Sequence, residues 1–209
     1  MHLLLAGATG LVGGAVMDTA LANGERVTAV GRRETGRATD EVTTDFSDSL
    51  AVPEAAVAIC ALGTTIATAG SRDAFRAVDH GAVLAFARAA QDAGIEHFLL
   101  VSGVGANPRA SVFYSKVKGE AERDLQVLGF RRLDIAQPGL LLGERHEHRP
   151  SEALLQRMNP ILSKLMPGPL SRYAGIEAQV VARALLALSK QSEAGVFRHE
   201  NRALRALCQ

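Results

Sequence analysis

The chain has 209 residues, 47% of them apolar and 22% charged, with a formal net charge of +1. That length favours one domain with a large core over two small ones. A balance this close to neutral supplies no basic stripe to neutralise a run of phosphates, so nucleic acid is not an expected partner.

The opening MHLLLAGATGLVGGAV lacks the cationic start of a secretion signal, and Gly7 and Gly10 interrupt its apolar run. No stretch reaches the ~18 consecutive apolar residues of a membrane span, so a cytoplasmic protein with no membrane contact is expected. HLLLAG (2–7) reads as a first strand. LVGGAVMDTALANG (11–24) follows as a helix, with Leu11, Val12, Val16, Ala20 and Leu21 near a 3.6 period and Gly24 as its C-cap. RVTAVG (26–31), EVTTDF (41–46) and AVAICALG (56–63) are the next three strands, and Cys60 inside the last is a small buried hydrophobe rather than a reactive thiol. DAFRAVDHGAVLAFARAAQDAG (73–94) is a long helix, HFLLVSG (97–103) a fifth strand, KVKGEAERDLQVLG (116–129) a further helix and RLDIAQPG (132–139) a sixth strand. Beyond Gly143 the rhythm weakens. PSEALLQRMNPILSKLMPGP (150–169) reads as a helical excursion broken by prolines, and IEAQVVARALLALSKQ (176–191) as a last helix. Cys208, the penultimate residue, is expected to be mobile.

Strands with almost no polar alternation are buried on both faces, which happens mainly in parallel sheets covered by helices. Strand and helix alternating at this spacing give right-handed βαβ units. The expected fold is therefore α/β, a Rossmann-type doubly wound parallel sheet. It forms a single domain over 1–209, with residues 144–175 a small cap over the substrate site.

AGATGLVGG (6–14) sits where the first strand turns into the first helix and carries Gly7, Gly10 and Gly13. Gly7 would make the turn, Gly10 permit close approach of a pyrophosphate, and Gly13 let helix and strand pack; the helix N–H groups then point at the anion. A site specific for NAD usually places Asp or Glu at the end of the second strand. Here VGRR supplies Arg32 and Arg33, whose guanidinium groups suit a 2′-phosphate, so NADPH is expected over NADH.

Ser102 closes the fifth strand at the carboxyl edge of the sheet, and the stretch YSKVK places Tyr114 and Lys118 one helical turn apart on one face. In the expected mechanism Tyr114 protonates a carbonyl oxygen as hydride reaches its carbon, and Ser102 holds that oxygen. A free phenol has a pKa of ~10, and Lys118 would favour its phenolate. ERHEHR (144–149) holds His146 and His148 two residues apart with no third Cys or His nearby, so it reads as a charged loop over the substrate mouth, and no metal site is expected. His80 and His97 read as structural.

The glycine turn, the strand-end serine and the Tyr-x-x-x-Lys pair, in that order, resemble the short-chain dehydrogenase/reductase superfamily. CALGTT, AGSRDAFRAVD, HFLLVSGVGA, YSKVKGEAE and QPGLLLGERHEHR are similar to its atypical branch of Tat-interacting-protein-type oxidoreductases. The resemblance covers about residues 1–190. It implies NADPH held at Gly7, Thr9, Gly10, Leu11, Val12 and Arg32. It puts Leu62 and Gly63 beneath the cofactor, Pro138 and Gly139 beside the nicotinamide, and Asp45 by the adenine. Three positions depart from the pattern: Ser102-Gly103 stands where relatives often have Ser-Ser, Asp79 where many have a relay Asn, and Gln137 where Arg commonly precedes Pro-Gly. The expected activity is NADPH-dependent reduction of a small carbonyl substrate. The alternatives are a regulator that reports NADPH occupancy to a protein partner, and an epimerase of nucleotide sugars.

Overall fold

Leu3, Leu4 and Leu5 are fully buried, and a strand apolar on both faces must lie inside a covered sheet. The computed structural model of the chain describes residues 1–46, 50–143 and 172–208. Its strands are β1 (His2–Ala6), β2 (Arg26–Gly31), β3 (Asp40–Thr43), β4 (Val57–Cys60), β5 (His97–Val101), β6 (Arg132–Gln137), a two-residue pair β7 (Leu141–Leu142) and β8 (Ile176–Glu177), and β9 (Gly195–Glu200). Seven of them form one sheet in the order β3-β2-β1-β4-β5-β6-β9, every neighbouring pair parallel. The chain winds outward in one direction through β2 and β3 and in the other through β5, β6 and β9. The direction reverses between β1 and β4, and in an open α/β sheet the loops beyond that point form the ligand crevice.

Alternate residues of each strand feed two cores. Leu3, Leu5, Val57, Ile59, Leu99 and Val101 pack under α1 (Leu11–Ala22) and α6 (Ala178–Leu188). Leu4, Ala58, Phe98, Leu100 and Leu133 pack on the other face, under α4 (Val83–Asp92) and α5 (Phe113–Leu128). Cys60 lies fully inside the second core, where burial pushes its thiol up to about 12, as an inert small hydrophobe requires.

Several boundaries differ from the sequence reading. The long helix of 73–94 is interrupted. It runs as α3 (Arg72–Arg76), a π-helical turn at Ala77–Ala82, and then α4. A short α2 (Ile66–Ala69), capped by the Thr65 side chain, precedes it. Helix α5 begins at Phe113, three residues earlier than the pattern of 116–129 indicated, so Tyr114 sits in its first turn. Strand β9 and α7 (Asn201–Ala206) were not anticipated. Cys208 is not a loose end: it is partly buried, and its thiol donates to the Val180 carbonyl at 3.3 Å. The helical excursion of 150–169, most of the cap and the ERHEHR cluster lie outside the described residues.

A buried polar knot ties β9 to the sheet. The Asp134 carboxylate accepts from Arg132 through Nε at 2.6 Å and Nη2 at 2.9 Å, from His97 at 2.8 Å and from His199 of β9 at 2.7 Å. Burial alone would raise the Asp134 carboxyl. The bonds from His199, His97 and Arg132 outweigh it and hold the group far below the usual carboxylate range. A depressed folded-state pKa contributes stability above the unfolded value of ~3.9 and loses it as pH falls below that. Asp134→Asn should therefore cost about 2 kcal/mol at pH 7 in urea unfolding, a loss that shrinks by pH 3; equal stabilities at pH 7 would refute this.

Candidate active site

The β1–α1 turn is built around glycines that sterics leave no choice about. Gly7 has φ of +84°, and a Cβ there would sit 2.5 Å from the Ala61 carbonyl oxygen. A Cβ at Gly13 would collide with the Gly7 carbonyl. Gly10 caps α1 without a side-chain oxygen, and the first turn holds no carboxylate. Among the described residues, no side-chain oxygen caps the first-turn N–H groups at the positive helix end. Thr9 is exposed at this turn, Leu11 is half-buried and Val12 is buried in the core, so Val12 can offer a ligand only its main chain.

Beyond the ends of β2 and β3 lies an open cleft of about 650 Å³ lined by Arg32, Val42, Thr43, Thr44, Asp45, Leu50 and Ala51. Its mix of apolar wall, guanidinium and hydroxyls suits the adenosine end of a dinucleotide. Arg33 is exposed but does not line it, which leaves Arg32 as the cation of the cleft among the described residues. The glycine turn and this cleft together fit a dinucleotide in the crevice at the switch point.

The loop after β4 joins this cradle to the Tyr114–Lys118 pair. Its Ala61 carbonyl closes over Gly7, the half-buried Leu62 packs on the second core, and Gly63 faces the Lys118 ammonium. The Lys118 Nζ lies 2.8 Å from the Asp79 Oδ1, and both side chains are buried. The other Asp79 oxygen accepts the Thr64 N–H at 2.9 Å. Burial alone would pull the Lys118 pKa down, yet the charge of Asp79 and the Tyr114 oxygen hold it above its ordinary value. Lys118 is therefore a fixed ammonium.

Tyr114 stands one turn before Lys118 on α5 with its ring against Phe75, centroids 5.6 Å apart. Its hydroxyl points at Gly103, where a Cβ would come within 2.9 Å of it. Pro138 and Gly139 follow directly on β6. The Pro138 carbonyl accepts the Val104 N–H at 2.9 Å, and the Gly139 N–H donates to Asn201 at 2.8 Å.

Ser102 follows directly on β5, and its hydroxyl is engaged within the fold, while it is Gly103 that faces the Tyr114 hydroxyl. Ser102 is buried and donates to the Glu122 Oε1 at 2.5 Å. Gln137 donates to both oxygens of the same carboxylate, at 2.9 and 3.0 Å, and Arg198 approaches to 3.6 Å. Ser102 and Gln137 thus share a structural acceptor that the sequence reading missed, although Glu122 falls on the Tyr114 and Lys118 face of α5 at the same spacing of four. His80 and His97 pair with Asp124 and Asp134, each at 2.8 Å, as structural residues do.

A family model described as NAD(P)H-binding matches residues 7–132. The protein fmp52, mitochondrial, of Aspergillus fumigatus is 38% identical over 198 residues, 88% of this chain and 84% of that one. FMP52, mitochondrial, of Eremothecium gossypii is 40% identical over 156 residues, 71% of this chain and 70% of the relative. These relatives are named mitochondrial, which overturns the cytoplasmic expectation. Among solved structures, MoeE5 in complex with UDP-glucose and NAD has a TM-score of 0.74 at 17% identity, covering 95% of this chain and 75% of that one. The human epimerase family protein SDR39U1 with NADPH has a TM-score of 0.69 at 19% identity, covering 94% and 72%. At such identities the likeness is one of fold, and it matches the doubly wound sheet and its switch-point crevice. The family match spans the glycine turn, the adenosine cleft and the Tyr114–Lys118 pair, so the chain belongs to the NAD(P)H-binding family that this model describes, with the Fmp52 proteins among its relatives.

Proposed function

We propose that the protein is an NADPH-dependent reductase of a small carbonyl compound. The observation that carries this reading is the single loop after β4, which touches the phosphate-cradling Gly7 at one end and the Lys118 site at the other. A cofactor lying in the crevice is thereby brought beside the Tyr114 hydroxyl. NADPH, when bound, supplies a hydride to the carbonyl carbon. Tyr114 donates its proton to the carbonyl oxygen, so the C=O becomes CH–OH, and the phenol is re-protonated from solvent. Lys118 favours the phenolate left behind, and Phe75 fixes the ring that carries it. Ser102 acts at one remove, holding Glu122 and with it the register between the β5 end and α5.

Arg32 favours the 2′-phosphate of NADPH by charge-assisted hydrogen bonds. A chain with Arg32→Asp should bind NADPH at least about tenfold more weakly in calorimetry and keep its NADH affinity. Equal losses for both cofactors would remove the phosphate assignment.

The test of the reaction is isotopic. NADPH carrying deuterium at the transferable position is incubated with the protein and a panel of aldehydes and ketones. Oxidation of the cofactor with deuterium on the product carbinol carbon is expected. Cofactor binding without any oxidation would overturn the reductase in favour of an NADPH-reporting regulator. The likeness in fold to proteins solved with UDP-sugars favours one second reading, epimerisation of a nucleotide sugar. That reaction would use the oxidised cofactor to take a hydride from a sugar carbon and return it to the other face, so a UDP-sugar incubated with NADP⁺ would be inverted at one centre with no net reduction of the cofactor.

A further inference from the structure

The helix before the site carries one irregularity. At Ala77–Ala82 its backbone widens into a π-helical turn, and such turns re-aim a side chain that an α-helix would hold elsewhere. The side chain aimed here is Asp79, which is fully buried and reaches across to α5. Its Oδ2 is fixed by the Thr64 N–H, and its Oδ1 meets the Lys118 ammonium and no other donor among the described residues. Gly63 lies against the pair, where a Cβ would stand in ordinary contact at 3.4 Å from Oδ1 and 3.5 Å from Nζ.

A lone ammonium beside a phenol draws the proton off it. An ammonium with a carboxylate 2.8 Å away presents a short dipole instead, whose field falls off much faster with distance. The other charged groups around the pair are otherwise engaged. On α5, Glu122 is tied to Ser102 and Gln137, with Arg198 of β9 beside it. Glu120 pairs with Arg76 of α3, and His80 of the π turn pairs with Asp124. From β4 the nearest titratable group is Cys60, a thiol that burial keeps protonated. From α3 the ring of Phe75 brings no charge.

We propose that Asp79 is a positioning residue acting through Lys118: it fixes the ammonium and offsets its charge at Tyr114, so that the phenol keeps its proton for delivery to a carbonyl oxygen. The phenol is thereby held in the form that proton donation requires. The proposal rests on Tyr114 being the proton donor, and its test needs no turnover, so the two fail separately.

The chain holds two tyrosines and no tryptophan. A Tyr173→Phe background therefore leaves Tyr114 as the sole phenol, and its phenolate absorbance near 295 nm can be titrated directly. Asp79→Asn keeps an oxygen for the Thr64 N–H and removes the charge. It should move the onset of phenolate absorbance to lower pH by about one unit. Asp79→Ser should move it in the same direction, which guards against a folding effect of either variant. With Lys118→Met present, Asp79→Asn should move it little, because a buried carboxyl without its partner takes up a proton and is already neutral. An unmoved onset, or an equal shift without Lys118, would overturn the proposal.

Discussion

Tyr114→Phe is expected to lower kcat/KM for carbonyl reduction by about 10²–10⁴-fold, the usual contribution of a positioned proton donor. The substitution isolates the hydroxyl. The ring stays on Phe75, and the lost oxygen makes no hydrogen bond among the described residues, so stability should change by less than about 0.5 kcal/mol. Tyr114 is 37% exposed, so its side chain is not sealed inside the core. The loss should fall on kcat and kcat/KM together, since proton donation develops only as the oxygen gains charge. Steady-state kinetics with NADPH, alongside a thermal melt, measure both quantities. A variant that raises KM alone would make Tyr114 a binding residue, and one with unchanged kinetics would remove it from the reaction.

Much of this was readable from composition along the chain, and the unread parts share a cause. Strands β1, β2, β4, β5 and β6 are almost wholly buried, so uninterrupted apolar runs announced them. Strand β9 has the sequence GVFRHE, with exposed residues at every second place, and it is held by its ladder with β6 and by His199 reaching Asp134 rather than by an apolar face. A polar tether between distant residues leaves no periodic trace. The glycine turn was legible because its constraint is local and steric. Ser102 was read at the carboxyl edge of the sheet, but its bond to Glu122 was not legible, because that partner lies on another element. Asp79 stood out as a departure, yet its partnership with Lys118 depends on a π turn that a continuous helical pattern conceals.

One methyl group should separate the two halves of the glycine cradle. Gly13→Ala places a Cβ on the Gly7 carbonyl, a backbone atom in a turn that is itself pinned under Ala61. Neither neighbour can swing aside, so α1 must lift from β1 or the turn must open. Overpacking of this kind costs about 1–3 kcal/mol. The same displacement misaims the first-turn N–H groups, and a shift of about 1 Å at such a site is enough for a roughly 100-fold loss of function, here read as NADPH affinity. Gly14→Ala is the matched control one residue on. Its Cβ would stand 3.5 Å from the Ala8 carbonyl, an ordinary contact, inside the same helix. Alanine is the better helix former by about 1 kcal/mol, so this variant should be as stable as the parent or slightly more so, with its affinity intact. Urea unfolding and a fluorescence titration of NADPH on both variants decide it. If Gly13→Ala bound NADPH as tightly as Gly14→Ala, the close approach of α1 to the β1–α1 turn would not be what aims the cradle at its phosphates.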